Sequence, residues 1–189
     1  GMYSLVAVAS IVWMVYAYAH TTHGDFIWFS GIGIVVFAKV LMPFALILVV
    51  SGLMVKNPTS VGQDEAVKVA PGGIIRITRH PVQWGILLWA IAHVMANGDQ
   101  ASILFFGTFA AVSALGMAAM DAKGRARRDP VWDGFMATTS YVPFVALITG
   151  RTSLKLSELN WIAVGIGAAL YALIFIFHGV IAGVPLMNG

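Results

Sequence analysis

Five histidines, His20, His23, His80, His93 and His178, are the side chains best suited to chemistry in this chain. Three of them, His80, His93 and His178, lie in or beside long apolar blocks. An ionisable group inside such a block is a functional hypothesis by itself, because hydrocarbon penalises its charge. The chain has no cysteine, which excludes disulfides, thiolate ligands and cysteine nucleophiles. Any metal or haem iron must therefore be held by His, Met or oxygen ligands.

His80 and His93 bracket one apolar block and are 13 residues apart. On a helix that separation is roughly 20 Å along the axis, too far for one shared metal ion. Gly85, Trp89, His93 and Asn97 form a single i, i+4 row on that helix. The glycine admits a flat ligand or another helix, the tryptophan offers a face, and the imidazole can ligate iron. The competing reading of His93 is a neutral imidazole making an interhelical hydrogen bond. His80, beside Arg79 and Pro81 at a membrane surface, reads as a solvated or helix-capping residue, with an anion contact shared with Arg76 and Arg79 as the alternative. His20 and His23 flank the outer end of the first block and read as a surface pair. Lys39, one turn before Pro43, is expected to snorkel, or else to pair with Asp99 or face a cavity. No carboxylate pair falls inside an apolar block, and no His-Glu-x-x-His, phosphate-loop or dinucleotide glycine pattern occurs.

These residues must be positioned by membrane elements. Apolar residues make up 59% of the 189 and charged residues 10%, and the apolar ones arrive in blocks near the roughly 20 residues that a bilayer requires. Six blocks are read as spans: Met2 to Ala19, Gly31 to Met54, Pro81 to Asn97, Ala101 to Met120, Gly134 to Gly150 and Trp161 to about Leu186. The fifth, with Thr138, Thr139, Ser140 and Pro143, either spans or is re-entrant. The basic loops 55–80 and 121–133 are expected on the cytoplasmic side. If the fifth block spans, His178 lies level with His80; if it is re-entrant, His178 lies level with His93. The opening Gly1-Met2-Tyr3 lacks the basic start of a signal peptide, and the first block reads as an ordinary helix. The small excess of 11 Lys+Arg over 8 Asp+Glu serves orientation and implies no nucleic-acid partner. The expected architecture is all-α: a single polytopic integral membrane helical bundle over residues 1–189, with about six transmembrane helices.

Several of these segments resemble the NnrU family. They are Tyr3-Ser4-Leu5-Val6; Arg79-His80-Pro81 with Trp84-Gly85, Leu88-Trp89-Ala90 and Ala92-His93; Asn97-Gly98-Asp99; Thr139 to Phe144 with Gly150-Arg151; and His178 with Gly183-Val184. The resemblance covers nearly the whole chain. It implies a multi-pass protein of the bacterial inner membrane, in a family that joins proteins associated with denitrification gene clusters to a haem b carotene isomerase of plants and cyanobacteria. It implies haem b as cofactor, with His93 as an iron ligand, and a cofactor site drawn from His93, His178, His80, Trp89 and Gly85. It also implies a further helix upstream of Tyr3 that carries a haem-associated histidine. The second axial ligand then comes from that helix or from His20, His23 or His178. Trp84, Trp89 and the small-residue face of the fourth block would line a slot for an apolar polyene. The alternatives are a haem- or nitric-oxide-related accessory or sensor protein, and a structural subunit of a larger membrane complex.

Overall fold

The computed structural model describes residues 2–60, 62–183 and 186. Among these residues the fold is all-helical, with one isolated bridge and no strand. The helices are α1 (Met2–His20), α2 (Ile32–Leu53), α3 (Pro81–Asn97), α4 (Gln100–Ala126), α5 (Pro130–Thr138), α6 (Val145–Ile148) and α7 (Trp161–Ala182), with three short 3-10 turns between them. α2, α4 and α7 are long and apolar enough to cross a membrane. That is fewer than the six spans expected. α1 is apolar but shorter over Ser4–His20, and α3 has 17 residues between Pro81 at its start and the left-handed Gly98 at its end.

The fifth block does not form one helix. α5 ends at Thr138, and α6 begins after Phe144, itself in the left-handed region at φ 67°. The cause is local competition for hydrogen bonds. Pro143 has no amide hydrogen to give to a helix, and residues 139–144 bond across to the approach of α3 instead. Arg79 donates its amide to the Ser140 carbonyl at 3.0 Å, and Phe144 donates to Ile77 at 2.8 Å. The Thr78 hydroxyl donates to the Tyr141 carbonyl at 2.9 Å. Between them, these partners satisfy backbone groups that no helix ladder serves.

α2 is the central helix. α3 and α7 pack on it, α4 packs on α3, and α1 makes its main contact with α4. Glycine makes the close approaches. A Cβ on Gly85 would sit 2.5 Å from the Ala45 carbonyl oxygen of α2, and one on Gly167 would sit 2.8 Å from the Ile47 Cα. Exposed apolar side chains line α1, α2 and α7, as expected of surfaces whose solvent is lipid.

One end of the bundle carries a small core of its own. Val67, Ile74, Ile75, Trp132 and Phe135 are buried together. Ion pairs tie the connections around it: Arg76 to Glu158 at 2.6 Å and Arg127 to Asp64. Residues 55–80, 121–133 and 151–160 therefore share this end. A spanning fifth block would have put the last of these on the opposite side. At the other end, the loop after α1 folds over the α3–α4 turn. Ile27 donates to the Gly98 carbonyl at 2.9 Å, and the Trp28 indole donates to Met95 at 3.1 Å.

Candidate functional site

α3 and α7 both lean on α2 and both run away from the basic end, so they carry His93 and His178 to the same depth. The two imidazole centres lie 6.4 Å apart with their planes 24° from parallel. The i, i+4 geometry of α3 also fixes the His93 ring. Its Nδ1 lies 2.8 Å from the Trp89 carbonyl oxygen. A carbonyl can only accept, so Nδ1 carries the hydrogen and Nε2 keeps its lone pair. His20 makes the same bond to the Tyr16 carbonyl, and a histidine held in this way has its second nitrogen free to accept. Phe106 of α4 stacks on the ring at 4.6 Å, and Trp89 leans on it at 5.1 Å. Trp89 in turn meets Phe106 and Phe109 edge-on. The walls are therefore aromatic, with the two imidazoles as their polar groups.

Of the remaining residues read from the sequence, Gly85 faces α2 and is closed off by its backbone. Of the two occupants a glycine there admits, the structure supplies a helix. Trp84 points its indole to the Tyr141 carbonyl at 2.8 Å, in the turn between α5 and α6. His20 stacks on Tyr16 at 4.1 Å and bonds its carbonyl at 2.8 Å. His23 pairs with Asp99 at 3.0 Å. Lys39 donates to the Leu186 carbonyl at 2.8 Å, and Asp99 pairs with His23 instead. Among the described residues no group of three or more His, Cys, Asp or Glu side chains is placed to hold a metal ion.

His80 departs most from expectation. It is fully buried rather than solvated. Its Nε2 lies 2.7 Å from Asp121, and the other oxygen of that carboxylate takes Arg79 Nη1 at 3.2 Å. Arg79 Nη2 also donates to the Thr139 carbonyl. Block composition ends the fourth apolar stretch at Met120 and gives Asp121 no partner, because charged residues follow it. The helix instead continues to Ala126, two turns further. The signal is in the spacing: Ser113, Met117 and Asp121 fall at i, i+4, and all three are buried. His80 and His93 thus serve different ends of the molecule.

Asp99 starts α4 and accepts the Ser102 amide at 2.9 Å. Burial opposes its charge, but the bonds from Ser102 and the neighbouring His23 outweigh burial and hold the carboxyl below its usual range. Glu158 is held below its usual range chiefly by the hydrogen bond from Arg76.

A family model described as NnrU protein matches residues 1–186. The chloroplastic 15-cis-zeta-carotene isomerase of Zea mays is 30% identical over 82 residues, 43% of this chain and 22% of the maize protein. The match thus spans about a fifth of that relative's length. No solved structure matches the chain.

Proposed function

This chain belongs to the NnrU family, and from that premise we propose that it is a membrane protein that holds haem b between His93 and His178 and acts on an apolar polyene. The observation that carries the reading is the imidazole pair. The two rings stand 6.4 Å apart, so both would be within reach of a haem iron bound beside them. The locked Nδ1 of His93 offers Nε2 to the metal. The donor set, two imidazoles within aromatic walls, is of the kind that would suit the group.

When bound, haem would supply a redox-active iron, the chemistry that a redox-gated cis–trans isomerisation requires. The chain's own residues do the rest. Trp89 orients His93 through its carbonyl, Phe106 stacks on the His93 ring, and Phe109 packs behind Trp89, so the surroundings are apolar. The isomerase activity is proposed from similarity to the maize isomerase, which this chain matches over part of its length. The substrate is accordingly proposed as a class, a cis-polyene with no polar head.

Membrane placement belongs to the same reading. α1, α2, α3, α4 and α7 cross the bilayer, and the end bearing residues 55–80 and 121–160 faces the cytoplasm by its Lys and Arg content. The bacterial inner membrane is the proposed location.

The deciding experiment is a visible spectrum, oxidised and reduced, of the full chain purified in mild detergent with haem available during expression. A Soret band with reduction-dependent α and β bands is the expected result. His93→Ala is expected to lose those bands while the protein inserts and elutes as before. His80→Ala is expected to keep them. A colourless wild-type protein would overturn the haem reading and leave an accessory or structural role. Conversion of a cis-carotene by the haem-loaded protein would separate an isomerase from a haem-binding accessory protein.

A further inference from the structure

Between the last turn of α2, the 55–76 connection and the start of α7 lies a cavity of about 300 Å³, at the small end of ligand-sized sites. Val55, Val69, Ile75, Phe135 and Val164 give it apolar walls. Ser51 lines it as well. This side chain is 4% exposed, and its hydroxyl has no hydrogen-bond partner among the described residues. A serine or threonine inside a helix usually turns back to the carbonyl four residues earlier. Ser10, Thr108 and Thr138 do so here. Ser51 does not, and its hydroxyl stays unpaired at an apolar wall.

The charges around the cavity are unequal. Glu158 is taken up by Arg76 at 2.6 Å, the Gly73 amide at 3.3 Å and Lys155 at 3.5 Å. Lys56, also on the lining, has no acidic partner among the described residues. α7 begins at the cavity, with Asn160 and Val164 on its wall, and a helix start favours negative charge.

We propose that this cavity binds a single-chain amphiphile with an anionic head, of the long-chain carboxylate class. The Ser51 hydroxyl and the Lys56 ammonium donate to the carboxylate, and the chain lies along the apolar walls. The proposal is independent of the haem reading and uses none of its residues.

The test is photolabelling of the full chain in zwitterionic nanodiscs with a diazirine-bearing palmitate, followed by peptide mass spectrometry. Label is expected on the 69–75 segment, Phe135 or Val164, and competed by palmitate at least tenfold better than by hexadecanol. Ser51→Ala is expected to weaken that competition about three- to tenfold, the usual worth of one hydrogen bond. Val69→Trp, on a wall residue that is 68% exposed and so safe for folding, is expected to abolish cavity labelling. His93→Ala is expected to leave it unchanged. Label spread over the lipid-facing helices, or undiminished at the cavity in Val69→Trp, would overturn the site. Equal competition by the alcohol would overturn the anionic head.

Discussion

Asp121 ties two segments together: the approach to α3, through Arg79 and His80, and its own helix α4. A buried charge that loses its partner costs about 3–5 kcal/mol. Asp121→Ala is accordingly expected to lower the thermal midpoint sharply by leaving Arg79 unpaired, and a double-mutant cycle with His80→Ala should give a non-additive coupling. Additive effects would mean that the 2.7 Å contact contributes little. Asp99 supports a pH prediction at the opposite end. Its carboxyl titrates below the ordinary range, so its stabilisation is complete above the unfolded carboxylate pKa and is lost as pH falls through the folded value. Acid melting curves of Asp99→Asn should be flatter than wild type over that window, and parallel curves would remove Asp99 from the account. In the sequence His80 is visible as a candidate, but its partner is not. A pairing across 41 residues depends on which face of α4 meets α3.

Among elements, the glycines divide by what surrounds them. Gly85 and Gly167 are contact points of α3 and α7 with α2. At Gly107 and Gly116 on α4, a Cβ would have no neighbour within 4 Å. Gly85→Ala and Gly167→Ala are expected to destabilise by about 1–3 kcal/mol through forced separation of helices. Gly107→Ala and Gly116→Ala are expected to be neutral or to stabilise by up to about 1 kcal/mol through helix propensity. Denaturation in mixed detergent micelles ranks the four. Equal effects would show that propensity, not packing, governs these sites. All twenty glycines look alike in the sequence, since the distinction lies in the neighbour and not in the residue.

For the whole molecule, the turn-back of residues 139–148 decides the topology. It returns the chain to the basic end before α7, and so brings His178 level with His93. Because the chain lacks cysteine, single-cysteine labelling can test this without background. Cysteines replacing Lys68, Arg128 and Lys155 are expected to react with an impermeant maleimide from one face of the membrane, and one replacing Thr22 from the other. Labelling of the Lys155 position from the Thr22 face would restore a spanning fifth block.

The sequence by itself determined the apolar character, the helical class and the blocks that became α1 to α4 and α7, because these rest on the hydrophobicity and length of contiguous segments. It also held the family resemblance and marked out His93. The tertiary structure decided which histidine faces His93, that His80 is buried against Asp121, and that residues 139–148 turn back. These outcomes depend on hydrogen bonds and close packing between segments far apart in the chain. Composition and periodicity report one segment at a time, and the free energy that chooses such partners exists only once two segments meet.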